Sequence, residues 1–240
     1  MKTIIVIPTY NEKDNLPKLV EAIQKQNIDA DILFVDDNSP DGTGLLAEEF
    51  ARQDAGIKVL HREKKEGIGQ AYREGFQWAL TKGYEILLQM DADLSHDPNA
   101  LPEFLEKIKD YDAVFGSRYY RGIRVYNWSF KRLLLSKFAN DFVRLMLRLD
   151  ATDTTTAFKC FRKEVLESID LPSFKGRQNA FLIELVHRVI KSGFKTTEIP
   201  FVFKEREKGE SKMEFKVALE SLWMVARLMT RRKKSFLKKK

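Results

Sequence analysis

The chain of 240 residues carries a single cysteine, Cys160. That excludes an internal disulfide and suits a reducing compartment. It has no apolar run of the roughly 18–20 residues needed to span a bilayer. The two best candidates, residues 133–149 and 219–229, are broken by charged side chains, so the chain is expected not to be integral to a membrane. Residues 1–10 run straight into a strand-like segment, without the basic start and apolar stretch of a secretory leader. There is no internal repeat and no Pro/Gly/Ser-rich linker, so one main domain is the simplest division. Histidine is scarce, with three in all, which leaves little room for chemistry built on imidazole.

What is present is 43% hydrophobic and 32% charged residues, the composition of one large globular domain or of a compact domain with an appendage. The formal charge is +7, and its location matters more than its size. From residue 227 onwards there are eight basic side chains (Arg227, Arg231, Arg232, Lys233, Lys234, Lys238, Lys239 and Lys240) and no acidic one. The rest of the chain is therefore close to neutral. Such a patch fits an anionic membrane surface; a solvated tail and a nucleic-acid contact are the alternatives.

The first half alternates short buried runs with amphipathic stretches. Residues 3–7, 32–35, 57–60, 85–90 and 113–116 read as strands. Leu16, Leu19, Val20 and Ile23 form one apolar helical face, and Ala71, Gly75, Trp78 and Ala79 another. This pattern predicts an α/β, Rossmann-like architecture with a mostly parallel central sheet flanked by helices. Functional loops should leave the carboxyl ends of its strands. Residues 128–149 read as an amphipathic helix, with Leu134, Phe138, Phe142, Leu145 and Leu149 on one face and Lys137, Asp141, Arg144 and Arg148 on the other. Two readings stand side by side: a helix facing the core, or one lying in a lipid interface. Residues 178–191 read as a helix, 196–199 as a strand and 215–229 as a terminal amphipathic helix before the basic tail. The expected division is 1–212 as the main domain and 213–240 as amphipathic helix plus polybasic tail.

Asp91-Ala92-Asp93 directly follows the apolar run 85–90. Two carboxylates separated by one small residue at a strand's end can point at a common hard cation. Mg²⁺ characteristically takes one or two carboxylates together with phosphate oxygens, and the bound ion neutralises charge on a departing diphosphate. A second acidic strand end, Asp36-Asp37, precedes a turn of Asn38, Ser39, Pro40, Asp41 and Gly42. Asp41 or Thr43 is suited to capping the next helix, but that does not account for two carboxylates at the place where a nucleotide's base or ribose is held. Pro8, Tyr10 and Glu12 end the first run, with a flat ring for a base and a hydrogen-bond acceptor. Gly67, Gly69 and Gly75 look superficially like a phosphate loop and are better read as sites of tight helix packing.

Together these segments resemble the family 2 glycosyltransferases of GT-A fold, in particular the dolichol- or polyprenol-phosphate mannose synthases. The resemblance covers essentially the whole chain. It runs through PTYNE at 8–12, VDDNSPDGT at 35–43, MDADLSHDP at 90–98 and GSRY at 116–119. It continues with Trp128, Arg132 and Ser136, and then Phe203, Arg206, Gly209, Glu210, Ser211 and Lys212. The first and third motifs are shared broadly in the family, and the GSRY and RxxGESK pair is much narrower. By that resemblance Pro8, Tyr10, Glu12, Val35 and Asp37 hold the nucleotide, and Asp91, Ala92 and Asp93 bind diphosphate and metal. Arg118, Arg206 and Lys212 contact donor or acceptor phosphates, and Arg132 and Ser136 face the lipid phosphate. Asp91, Asp93, Arg118 and Arg206 carry the chemistry. Ser95, where some relatives have Gln, ranks as a weaker third metal ligand. One departure stands out: the family pattern D-x-T-G-x-F is met by Asp153, Thr155 and Phe158, but Thr156 stands where glycine is expected.

The expected activity is inverting transfer of mannose from GDP-mannose to a polyprenyl or dolichyl phosphate, with Mg²⁺ or Mn²⁺. A phosphate monoester is largely dianionic at neutral pH and is already a nucleophile, so the site must supply cations rather than a strong base. Arg fits because its planar fork meets phosphate with two hydrogen bonds. Relatives often carry membrane spans after this domain. This chain ends in a helix and a basic run, which implies a peripheral enzyme on the cytoplasmic face of a membrane, recruited by an anchoring partner protein. Nucleic acid is not an expected partner. Competing readings are a UDP-sugar donor (glucose or an aminosugar), a soluble or polysaccharide acceptor, and a non-catalytic basic module.

Overall fold

The computed structural model describes residues 1–204 and 215–230. Along the chain the main elements are β1 (Thr3–Thr9), α1 (Leu16–Gln24), β2 (Asp31–Asp36), α2 (Thr43–Gln53), β3 (Ile57–His61), α3 (Ile68–Thr81) and β4 (Ile86–Gln89). They continue with α4 (Leu101–Lys107), β5 (Ala113–Ser117), β6 (Val125–Tyr126), α5 (Phe130–Leu147), β7 (Lys159–Arg162) and α6 (Lys163–Ser168). The last are α7 (Asn179–Lys191), β8 (Thr196–Pro200), β9 (Phe203–Lys204) and α8 (Phe215–Thr230).

Seven strands form one sheet in the order β3-β2-β1-β4-β7-β5-β8. Its pairings are parallel except at β7, which runs antiparallel to both β4 and β5. This is the α/β architecture anticipated from the run-and-helix alternation. The strand runs are continuously apolar because both faces are covered. Ile4 and Val6 face a layer with α3 and α7, whereas Ile5 and Ile7 face a layer with α1, α2 and α4. The chain leaves central β1 to build β2 and β3 on one side, then crosses to β4 on the other. The carboxyl ends of β1 and β4 thus flank the switch point where such sheets open a ligand crevice.

The glycines of α3 are packing residues. A Cβ on Gly75 would lie 2.5 Å from Val6 Cγ1, and one on Gly69 would lie 2.7 Å from Phe181 Cβ. No side chain fits at that approach.

The structure differs from the sequence reading at three places. Residues 159–162 were not anticipated as a strand, because Lys159 and Arg162 flank only two apolar residues; β7 forms by inserting between β4 and β5. The capping of α2 also differs in detail. Gly42, at φ 88°, holds the N-cap position, and Asp41 accepts from the Thr43 backbone N–H at 2.9 Å. In α5 the buried side chains are Asn140, Val143 and Leu147. Leu134, Phe138 (69%) and Leu145 (75%) of the anticipated apolar face stay exposed, and Leu149, beyond the helix, joins the core. Met224, Val225 and Leu228 of α8 are buried in the cluster that includes α7. Among the described residues no helix is long and apolar enough to cross a membrane. Arg206, Lys212 and the basic tail 231–240 lie outside the described residues.

Candidate active site

Three strand-end turns meet at the carboxyl edge of the sheet, and each is closed by a residue in left-handed conformation: Asn11, Asn38 and Leu94 at φ 60°, 57° and 60°. Asparagine tolerates this region by local hydrogen bonding. Leucine does not, so the turn after Asp91-Ala92-Asp93 is held against its own preference, as at many functional sites.

The first two turns brace each other. Asn11 N–H donates to Ser39 Oγ at 3.1 Å, and Glu12 N–H to Thr43 Oγ1 at 2.9 Å. Asp36 is consumed by this bracing: it accepts from Thr9 Oγ1 at 3.0 Å and from Ser39 Oγ at 2.6 Å. Asp37 is different. It is buried against the Arg62 guanidinium, which also reaches Glu74 at 2.9 Å. Burial pushes the Asp37 carboxyl up, and Arg62 works against that rise. Glu12 Oε2 accepts from Asn15 Nδ2 at 2.6 Å. The Tyr10 ring is covered by Lys65 Nζ, 3.6 Å from its centroid. Pro8 and Val35 are directly paired across β1 and β2, and the Val35 side chain lies in the core beneath Gly75.

Just past β4 the Asp91 side chain is 21% exposed, and its Oδ1 accepts from the buried Tyr72 hydroxyl at 2.8 Å. Burial, and next Asp91 itself, raise the Tyr72 phenol well above its ordinary value, so it stays a donor. Asp93 accepts from Ser95 N–H at 3.0 Å. Ala92 between them is buried. The two carboxylates form a hard, all-oxygen donor set that fits Mg²⁺ or Mn²⁺. Among the described residues there is no cluster of three or more His, Cys, Asp or Glu that would hold a metal alone.

Arg118, at the end of β5, is buried and bidentate on Asp153: Nε to Oδ2 at 2.6 Å and Nη2 to Oδ1 at 2.8 Å. Nη2 also donates to Thr155 Oγ1 at 2.7 Å. Burial alone would raise the Asp153 carboxyl, but the Arg118 charge and hydrogen bonds hold it below its usual value. Glu198 of β8 secures the same loop, accepting from Thr152 N–H at 2.9 Å and Asp153 N–H at 3.2 Å. Asn140 of α5 accepts from Thr154 N–H at 2.8 Å. Lys159 is wholly buried beside this loop and donates to the Thr156 carbonyl.

Trp128 gathers the cationic side chains. The Arg132 guanidinium lies 4.2 Å from its ring and that of Arg118 5.4 Å. Ser136 Oγ accepts from Tyr119 O–H at 2.7 Å. Arg118, Arg132 and Ser136 therefore come together. Phe203 packs edge-on against Trp128 at 5.4 Å, and Lys204 N–H donates to the Ser95 carbonyl at 3.3 Å. The segment that leads towards Arg206 is thus fastened to the aspartate turn. Tyr72, Arg62, Lys159 and Glu198 lie outside the sequence motifs. Asp153 and Thr155 lie in a quoted motif, but Tyr72 and Lys159 leave no signal beyond an aromatic on a helix and a lysine among apolar neighbours.

Comparison with known proteins extends this picture. The family described as Glycosyl transferase family 2 matches residues 4–170. A polyprenol monophosphomannose synthase of Mycolicibacterium smegmatis is 44% identical over 227 residues, 94% of this chain and 86% of that protein. An undecaprenyl-phosphate mannosyltransferase of Micrococcus luteus is 39% identical over 227 residues, 95% of this chain and 93% of its own length. In structure, glucosyl-3-phosphoglycerate synthase from Mycobacterium tuberculosis, solved with Mn²⁺, UDP-glucose and phosphoglyceric acid, has a TM-score of 0.69 at 14% identity, over 95% of this chain and 80% of that one. The mannosyltransferase PcManGT from Pyrobaculum calidifontis, solved with GDP-Man and Mn²⁺, has a TM-score of 0.58 at 18% identity, over 88% of this chain and 58% of that one. Both structures share the fold.

Proposed function

The chain belongs to glycosyl transferase family 2, and on that footing we propose that it transfers a mannosyl residue from GDP-mannose to a polyprenyl or dolichyl phosphate, with inversion. The observation that carries this reading is the meeting of two unlike charge sets at one sheet edge. The Asp91 and Asp93 carboxylates follow β4, and the Trp128 ring that carries Arg132 packs on Phe203, whose neighbour Lys204 donates its N–H to the Ser95 carbonyl of the aspartate turn. The names of the relatives at 44% and 39% identity support the sugar and the lipid phosphate.

Asp91 and Asp93 would hold the divalent ion, Mg²⁺ or Mn²⁺, with Ser95 as the weaker third candidate. Once bound, that ion supplies charge neutralisation for the departing diphosphate. Pro8, Tyr10, Glu12, Asp37 and Ala92 would line the nucleotide, and Val35, whose side chain lies in the core, would offer only its backbone. Arg132, Ser136 and Arg206 would orient the lipid phosphate, and Arg206 and Lys212 would also meet the donor's phosphates. The phosphate is already anionic, so the residues here bind and orient it rather than remove a proton. Arg118 acts through its buried pair with Asp153, which fixes the loop behind Trp128.

The exposed Leu134, Phe138 and Leu145 of α5, with Arg144 and Arg148 nearby, support a peripheral contact with the cytoplasmic face of an anionic membrane. A membrane-anchoring partner protein fits the same surface.

The deciding experiment is a donor panel of GDP-mannose, UDP-glucose and UDP-N-acetylglucosamine with polyprenyl phosphate and Mn²⁺, following lipid-linked sugar. Mannolipid from GDP-mannose alone is the expected result. Glucolipid from UDP-glucose would move the assignment to the competing donor class, and no lipid-linked product from any donor would remove it.

A further inference from the structure

The last sheet hydrogen bond of β4 runs from Met90 N–H to the Val6 carbonyl at 3.2 Å. The next N–H along the chain, that of Asp91, has left the ladder and needs a partner. It donates to His96 Nδ1 at 3.0 Å. The His96 ring is buried, stacked on Phe158 with centroids 5.0 Å apart and planes 9° apart, and met edge-on by Phe201 and Phe203 at 5.5 and 6.1 Å. Because Nδ1 accepts, a neutral ring carries its proton on Nε2, which lies 3.4 Å from Thr156 Oγ1. Thr156 belongs to the loop that supplies Asp153 to Arg118, and its carbonyl takes the Lys159 ammonium. A glycine at 156, as in the family pattern this chain resembles, would have no hydroxyl to offer.

We propose that His96 is a positioning residue that ties the Asp91 backbone to Thr156, and that this tie sets the affinity of the aspartate pair for its divalent ion. It rests on the metal reading of Asp91 and Asp93. A histidine that only filled the core could satisfy its nitrogens on any neighbour. Here Nδ1 takes the backbone N–H of Asp91, and Nε2 faces the Thr156 hydroxyl at 3.4 Å, with Asp91 Oδ2 farther off at 3.8 Å. Two halves of the site are joined through one ring. Outer partners that orient a ligand commonly change metal affinity by about 10–100-fold when removed.

The test is binding of Mn²⁺ to the full chain in the presence of GDP, read from free Mn²⁺ by electron paramagnetic resonance and independent of turnover. His96→Phe keeps the stack on Phe158 and removes the acceptor, and should weaken Mn²⁺ about tenfold or more. His96→Asn places an amide oxygen near the Nδ1 position and should recover most of that loss. Thr156→Val should weaken Mn²⁺ about threefold, in keeping with one long hydrogen bond, while Thr156→Ser stays at the wild-type value. Equal Mn²⁺ binding by wild type and folded His96→Phe would overturn the inference. If His96→Phe fails to fold, the Val and Ser variants at 156 decide, and equal binding by that pair would overturn it. Failure of the wild type itself to bind Mn²⁺ with GDP would instead sink the metal reading beneath it.

Discussion

Arg118 and Asp153, 35 residues apart in sequence, form a buried bidentate pair with Nε and Nη2 at 2.6 and 2.8 Å from the two carboxylate oxygens. An arginine so placed first holds structure. Removing one partner of such a pair leaves an uncompensated buried charge, at about 3–5 kcal/mol. Arg118→Ala should therefore lose transfer together with stability, read as a lower urea midpoint. Arg132 is only half-buried, its guanidinium 4.2 Å from the Trp128 ring centroid, so Arg132→Ala should lose transfer at a smaller cost in stability than Arg118→Ala. Equal stability of the two variants would contradict the division of labour drawn between them.

The aspartate pair separates chemistry from folding in the opposite sense. Asp93→Ala should lower transfer by roughly 10²–10³-fold, leave the circular dichroism spectrum unchanged and abolish nucleotide-dependent Mn²⁺ binding. Near-normal turnover would remove the metal from this position.

Much of the fold is legible in the sequence because its strands are buried on both faces, which leaves uninterrupted apolar runs at β1, β2 and β4. β7 escapes that logic: Lys159 sits within it, wholly buried, and only the tertiary site explains why. The position of the strand-end motifs is legible as well, because each acidic segment directly follows an apolar run. What the motifs do not disclose is orientation. Asp36 and Asp37 are neighbours, yet one is spent on Thr9 and Ser39 while the other meets Arg62. The positive φ of Asn11 and Asn38 is in character for asparagine, whereas the same conformation at Leu94 has no sequence signal. Nor can spacing reveal that Arg118 turns towards Asp153.

Gly75 tests the packing account of the α3 glycines against a phosphate-loop account. With Val6 Cγ1 only 2.5 Å from a Cβ at this position, Gly75→Ala should destabilise by about 1–3 kcal/mol through overpacking. The affinity of the folded fraction for nucleotide should not change. An unaltered melting temperature with weakened nucleotide binding would favour the phosphate-loop account.

Leu134, Phe138 and Leu145 are exposed, so replacing all three by Ser should leave folding intact. Partitioning to vesicles containing anionic lipid should drop about tenfold or more, since each buried apolar side chain is worth up to about 1.5–3 kcal/mol. Wild-type binding should also weaken as salt rises, because part of the attraction is Coulombic. Unchanged partitioning of the triple variant, measured by co-sedimentation, would take α5 out of the membrane contact.

Lys159 links the site to pH. Burial brings its ammonium down from 10.5 to about 7, opposed by Asp153, reinforced by Arg118, and opposed again by Asp91 and Glu198. Below pH 7 both folded and unfolded chains carry the proton, and the full cost of burying the charge is present. Above pH 7 the folded chain releases the proton while the unfolded chain keeps it, so unfolding takes up a proton and stability rises with pH, towards about 1.4 kcal/mol per unit. Lys159→Met keeps the stem and removes the titration. Between pH 7 and pH 9 the wild type should gain about 2 kcal/mol relative to that variant in urea denaturation. A difference that stays flat over this range would mean that the acidic neighbours keep the ammonium charged, and Lys159 would then act as a fixed cation behind the aspartate turn.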